Sequence, residues 1–244
     1  MKKLSGLIPP AVTIFDEKGL VDYDAMKKHA DYMIEKGVDG ISYLGTSGEF
    51  SVMTQEQKKE LIRTMVPYIS ERVQAVAGIG DTCLDNTLEL AKEAEAAGAA
   101  GVLAVIPYFS IYGEENVEAY YGKLAEEVKL PILIYNFPAL TGFDVNPKQM
   151  ERLAKRYPNI AGVKDTVPEA SHLKAMLKIK ESKQEFSVFC AYETQALELM
   201  GAGIDGFINA TANFVPEYTA GLLKAGKEGN RTELEAAFEK MQQA

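Results

Sequence analysis

The chain has 244 residues, 47% hydrophobic and 25% charged, which is enough for one sizeable globular unit with a substantial core and suits a closed eight-fold β/α barrel. A net charge of −9 argues against nucleic acid or an anionic membrane surface as a partner. Two cysteines, Cys83 and Cys190, give neither a disulfide framework nor a metal-binding CxxC pair, and no apolar run suits a membrane span or a secretion signal, so a reducing cytoplasm is the expected setting.

Along the chain, short apolar runs alternate with longer amphipathic ones. Strands are predicted over 7–15, 40–44, 74–79, 101–106, 131–136, 160–164, 187–191 and 206–209. Helices are predicted near 23–37, 54–70, 83–98, 114–128, 147–157, 170–182, 193–201 and 216–226, with a last one over 231–244 that no strand follows. Thr54 with Gln57 makes a capping-box pattern, and Asn146-Pro147 with Gln149 is a second helix start. Gly37, Gly98 and Gly226 are the expected helix stops. Strand and helix in strict alternation predict a parallel sheet with helices outside. Eight such units fit a (β/α)8 barrel; an open doubly wound sheet is the alternative.

In a barrel of this kind the chemistry collects at the C-terminal ends of the strands. The polar residues at those ends are Thr46, Ser47 and Glu49; Tyr108; Tyr135 and Asn136; Lys164; Tyr192 and Glu193; and Asn209, Thr211 and Asn213. Lys164 stands out because it lies inside the apolar run Ile160-Ala161-Gly162-Val163-Lys164-Asp165-Thr166, where an ammonium is costly without a partner or a task. Ile160, Gly162 and Lys164 share one face of that strand, and Gly162 is read as leaving open space beneath the lysine. A local ion pair with Asp165 is the plain alternative.

A neutral lysine amine attacks a ketone to give an imine, and the protonated imine is an electron sink that makes a nearby C–C bond cleavable or formable. Holding an amine neutral at pH 7 costs roughly 4–5 kcal/mol from the reference value, and an apolar barrel interior can supply that. Tyr135 offers a phenol for proton transfer. Gly45-Thr46-Ser47-Gly48-Glu49 offers two hydroxyls and backbone N–H groups suited to a carboxylate. The combination suits a 2-keto acid.

Gly45-Thr46-Ser47-Gly48-Glu49, Tyr135-Asn136-Phe137-Pro138 and Gly162-Val163-Lys164-Asp165-Thr166, in this order and spacing, resemble the dihydrodipicolinate synthase / N-acetylneuraminate lyase family of pyruvate-dependent class I aldolases. The stretch from Phe137 to Gly142 is most similar to the 2-keto-3-deoxy sugar-acid aldolases. The resemblance implies Lys164 as the Schiff-base lysine, Tyr135 as the acid/base phenol, and Thr46 as the hydroxyl that links the phenol to the site. It further implies that Thr46 and Ser47 hold the pyruvate carboxylate and that the backbone at Ile208 lies beside it. Tyr108 and Glu49 are supporting residues, Glu49 as a brace of the turn. No cofactor and no metal are implied, and a homo-oligomer is.

Three departures from the family pattern bear on function. Leu140 stands where the synthases carry an arginine for the carboxylate of their aldehyde substrate, which points to a neutral aldehyde. Phe109 stands where the family's second loop tyrosine reaches a neighbouring subunit. The family's C-terminal helices are short here, so the expected division is a barrel over 1–229 and a short C-terminal helical extension, the remnant of that region, over 230–244. The expected activity is reversible cleavage of a 2-keto-3-deoxy sugar acid, such as 2-dehydro-3-deoxygluconate or galactonate, to pyruvate and an aldehyde. N-acetylneuraminate lyase and dihydrodipicolinate synthase are the alternatives within the family, and a weakly active keto-acid-binding barrel is the alternative outside enzymes. His29 and His172 read as ordinary helix residues, and Gly78-Ile79-Gly80, with Cys83 in place of a third glycine, as a strand-to-helix turn.

Overall fold

Eight parallel strands form the centre of the molecule, seen in a computed structural model that describes residues 3–243. They are β1 (Gly6–Leu7), β2 (Gly40–Tyr43), β3 (Gln74–Gly78), β4 (Gly101–Val105), β5 (Ile132–Asn136), β6 (Ile160–Asp165), β7 (Ser187–Cys190) and β8 (Gly206–Phe207). Their order is β1-β8-β7-β6-β5-β4-β3-β2. The seam between β1 and β2 closes through backbone bonds beyond the formal strands. Asp39 N–H donates to the Leu7 carbonyl at 2.9 Å, Ser42 N–H to the Pro9 carbonyl at 2.9 Å, and Ala11 N–H to the Ser42 carbonyl at 2.8 Å. The sheet is therefore a (β/α)8 barrel and not an open doubly wound sheet. Every residue of β2, β4 and β5 is buried, as expected of parallel strands with side chains inside and helices outside.

The predicted first strand, 7–15, is cut short. Pro9 and Pro10 have no N–H to give, so the formal strand ends at Leu7, and beyond it pairing goes on through the Ile8 and Ala11 N–H groups, the Pro9 carbonyl and a bridge from Pro10 to Ser42.

The helices are α1 (Tyr23–Glu35), α2 (Gln55–Ser70), α3 (Leu84–Ala96), α4 (Glu114–Glu127), α5 (Pro138–Thr141), α6 (Pro147–Arg156), α7 (Ala170–Leu177), α8 (Ala196–Leu199), α9 (Pro216–Lys227) and α10 (Arg231–Gln242). Thr54 and Gln57 form the full capping box of α2, and the Asn146 side chain accepts from the N–H groups of Lys148 and Gln149 at the start of α6. Gly37 and Gly98 end their helices with φ of 89° and 80°. Gly226 does not stop α9; it lies inside the helix, and Gly229, with φ of 68°, ends it. The helix predicted over 193–201 is broken into 3-10 turns on either side of the four-residue α8, since Gly201 and Gly203 withdraw helix propensity just where it would extend. The short α5 was not predicted, although Pro138 at its first position and Gly142 just past its end are the ordinary signals. Among the described residues, no helix is long and apolar enough to cross a membrane.

Gly162 does not leave open space. A Cβ there would lie 2.4 Å from the Ser187 carbonyl oxygen and 2.7 Å from Leu133 Cδ2, so glycine is what lets β6 seat between its neighbours. Gly162→Ala is expected to cost about 1–3 kcal/mol through overpacking. Urea unfolding of the variant checks this, and an unchanged midpoint would contradict it.

Candidate active site

Tyr135 on β5 and Lys164 on β6 are register partners, so the pleat sends both side chains to the same face. Lys164 Nζ stands 4.0 Å from the centroid of the Tyr135 ring. Lys164 is 4% exposed and Tyr135 5%. The Tyr135 hydroxyl lies 3.1 Å from Thr46 Oγ1. Asp165 is not the partner of Lys164: it points to the opposite face, toward α7. The chain buries one other lysine as deeply, Lys58, and that one pairs with Asp81 at 2.7 Å. Among the described residues Lys164 has no salt bridge and its Nζ has no hydrogen bond. A buried amine without a counter-ion is costly as structure and is what imine chemistry requires.

The turn after β2 is held by its own backbone. Gly48 N–H donates to the Gly45 carbonyl and Glu49 N–H to the Thr46 carbonyl, each at 3.0 Å, while Thr13 Oγ1 donates to the Gly48 carbonyl at 2.6 Å. The N–H groups of Thr46 and Ser47 are left without an acceptor among the described residues. Two free amides beside two hydroxyls form a concavity suited to a carboxylate. Glu49 contributes through its left-handed backbone, φ 58°; its side chain is exposed and makes no hydrogen bond among the described residues.

Leu44 also has φ of 58°, and this bend carries its carbonyl so close to β3 that a Cβ on Gly78 would lie 2.1 Å from it. At Gly80 a Cβ would meet the Phe50 ring at 2.7 Å. These glycines are explained by close approach, not by a nucleotide.

A cavity of about 230 Å³ opens beside Tyr135. Thr46, Ser51, Tyr108, Tyr135 and Thr141 bring hydroxyls to it, and Phe50, Val105, Phe137 and Leu140 bring apolar surface. No charged side chain lines it. Tyr108 packs edge-on against Phe50 with ring centroids 5.8 Å apart, and burial raises its phenol pKa, with a smaller contribution from Asp81. Ser47, Lys164 and Ile208 do not line the cavity. Ile208 is buried at the end of β8, with its N–H committed to the Cys190 carbonyl at 3.0 Å. Tyr135 is the shared element: its ring meets Lys164, its hydroxyl meets Thr46, and its edge forms cavity wall. A larger depression, about 610 Å³, sits at the opposite end of the barrel around Leu4, Asp39 and Gln74 and holds none of the candidate residues. Among the described residues no group of three or more His, Cys, Asp and Glu is placed to hold a metal ion.

His172 is not an ordinary helix residue. Its Nδ1 lies 2.8 Å from Asp165 Oδ2 and its Nε2 lies 3.2 Å from Asp144 Oδ2. With a carboxylate at each ring nitrogen, both nitrogens carry protons. Partial burial opposes the charge, but the Asp144 and Asp165 carboxylates at the two ring nitrogens outweigh it and raise the imidazole pKa from 6.5 to about 10. Burial likewise opposes ionisation of Asp144, and the bonds from His172 and Asn136 outweigh it, holding that carboxyl below its usual range. Sequence spacing carries no sign of this cluster, because its members come from β5, β6, α7 and the loop after α5.

The dihydrodipicolinate synthetase family profile matches residues 3–244. The chain belongs to this family. It is 43% identical over 231 residues to the probable 2-dehydro-3-deoxy-D-pentonate aldolase YjhH of Escherichia coli K12, covering 94% of this chain and 77% of that one. It is 33% identical over 225 residues to the 4-hydroxy-tetrahydrodipicolinate synthase of Methanocaldococcus jannaschii, covering 92% and 76%. Among solved structures, that of Escherichia coli YagE in complex with pyruvate superposes with a TM-score of 0.95 at 36% identity, covering 98% of this chain and 81% of that one. These relatives are named as a sugar-acid aldolase and a synthase, one solved relative holds pyruvate, and the fold expected from the motifs is the fold observed.

The raised imidazole pKa sets a pH dependence. The stabilisation from protonated His172 is fully present below the unfolded value of 6.5 and is lost as the pH rises through about 10. The stability difference between wild type and His172→Gln is therefore expected to narrow across that window, by up to ~1.4 kcal/mol per pH unit. Urea unfolding at several pH values measures it, and a constant difference would contradict the assignment.

Proposed function

We propose that the protein is a Schiff-base (class I) aldolase that reversibly cleaves a 2-keto-3-deoxy sugar acid, such as 2-dehydro-3-deoxygluconate or galactonate, to pyruvate and an aldehyde. The observation that carries this reading is the buried, unpaired amine of Lys164 against the ring of Tyr135, whose hydroxyl is within bonding distance of Thr46.

In this reading the substrate carboxylate takes the free amides and hydroxyls of Thr46 and Ser47, with the backbone at Ile208 beside it. The Lys164 amine adds to the C2 ketone, and loss of water gives the protonated imine. Tyr135 gives its phenolic proton to the departing water as the imine forms, and its phenolate then takes the proton of the C4 hydroxyl, directly or through Thr46. The C3–C4 bond breaks, its electron pair moves into the imine to give an enamine, and the aldehyde leaves. Protonation at C3 and hydrolysis then release pyruvate and restore the amine.

The cavity supports a neutral aldehyde. Leu140 lines it and none of the described lining residues is charged, so an aldehyde bearing its own carboxylate finds no ionic partner in the wall. Tyr108 supports the wall, and Glu49 acts only through the turn. A homo-oligomer fits the same reading, since Phe109 and Ile111 are 99% and 94% exposed beside the mouth. A reducing cytoplasm fits the two free cysteines, Cys83 exposed and Cys190 buried.

Cleavage of 2-dehydro-3-deoxygluconate, read as pyruvate release, tests the proposal. Lys164→Ala is expected to abolish turnover while keeping cooperative unfolding, and Tyr135→Phe to lower kcat by about 10²–10⁴-fold. Wild-type turnover in Lys164→Ala would remove the imine mechanism.

A further inference from the structure

We infer that His172 is a positioning residue for the Lys164–Tyr135 pair: its ring ties the ends of β5 and β6 and the loop after α5 into one unit from the outside of the barrel. The inference rests on the proposed imine role of Lys164.

Tyr135 is followed on β5 by Asn136, and Lys164 on β6 by Asp165, and these two also face each other in register. The pleat that turns Tyr135 and Lys164 one way turns Asn136 and Asp165 the other, into the helix layer. There they form a closed network. Asn136 Nδ2 donates to Asp165 Oδ1 and to Asp144 Oδ1, each at 2.9 Å, and Asn136 Oδ1 accepts from Val145 N–H at 3.0 Å. His172 of α7 closes the ring, with Nδ1 hydrogen-bonded to Asp165 Oδ2 and Nε2 at ion-pair distance from Asp144 Oδ2. The Asp165 side chain is 0% exposed and that of Asp144 41%.

Two carboxylates converge on one asparagine amide here, one of them wholly buried. Like charges in that arrangement repel, and the histidine cation is what makes their convergence favourable. Its loss would push apart the β6 end and the loop carrying Asp144. That loop follows the segment whose Leu140 and Thr141 line the cavity, and Thr141 Oγ1 lies within hydrogen-bonding distance of the Phe137 and Phe143 carbonyls, at 3.0 and 3.1 Å. A displacement at Asp165 or Asn136 passes through one peptide unit to Lys164 or Tyr135. The turn that offers the carboxylate site is anchored elsewhere, through Thr13 to Gly48.

These connections give a distinctive kinetic expectation. Loss of the network misaligns amine and phenol but leaves the carboxylate site in place, so kcat falls while KM stays. Misplacement of reacting groups by a fraction of an ångström up to about 1 Å costs on the order of 10–10²-fold in rate.

Steady-state cleavage of 2-dehydro-3-deoxygluconate at pH 7 by wild type, Lys164→Ala, His172→Gln and Asp144→Asn tests the inference. Asp144→Asn removes one carboxylate at a half-exposed position and remains informative if His172→Gln does not fold. The expected result is a kcat lower by at least about tenfold in each folded variant of the network, with KM within about threefold of wild type. A purely structural role lowers the melting temperature and leaves kcat of the folded enzyme intact. Retention of kcat within about twofold in either folded variant, with Lys164→Ala inactive, would overturn the inference alone. Wild-type turnover in Lys164→Ala would overturn the aldolase reading and the inference with it.

Discussion

Among the described residues two lysines are carried into the interior, and they meet the cost of burial in opposite ways. Lys58 takes Asp81 as a partner and is satisfied as an ion. Lys164 has no counter-ion among the described residues and lies over the face of the Tyr135 ring. An amine held in this way is costly as structure, and the arrangement around it makes sense as preparation for a substrate. The glycine beneath it admits β7 at close range, the register of β5 and β6 brings the phenol alongside, and the bent turn after β2 brings Thr46 to the phenol's hydroxyl.

The barrel accomplishes this by using the two faces of each strand differently. On the inner face of β5 and β6 sit the amine and the phenol, with little polar company. On the outer face, one residue further along, sits a dense network of Asn136, Asp165, Asp144 and His172. The strain of the site is concentrated at its edges, in Leu44, Glu49 and Phe109, all non-glycine residues with positive φ at the C-terminal ends of strands. In the proposed aldolase, strands β5 and β6 carry the amine and the phenol, and loops with positive φ residues carry the groups placed to meet the rest of the substrate.

Much of this was legible in the sequence because it is periodic or local. Apolar runs flanked by amphipathic ones marked all eight strands, and Thr54 and Asn146 marked their helix starts through bonds to residues two or three positions on. What failed to read was set by contacts distant in sequence or by backbone limits. Pro9 and Pro10 sit in an apolar run that looks like strand, yet they cannot donate to a ladder. Gly162 suggests space until β7 is placed against it. Gly226 tolerates the interior of α9 where Gly229 does the stopping. His172 gives no signal at all, since Asp144 and Asp165 reach it only once two strands, a helix and a loop have packed. The candidate residues Lys164, Tyr135 and Thr46 were recognisable by motif, but the absence of a partner for Lys164, which gives the motif its chemical meaning, is a property of the fold.

Borohydride trapping in the presence of pyruvate, followed by peptide mapping, asks whether Lys164 is the nucleophile toward a keto acid. A nucleophilic Lys164 gives a reduced pyruvate adduct on its own peptide, with none on Lys58 and none without pyruvate. A folded protein that gives no adduct, or carries it on another lysine, would contradict the account.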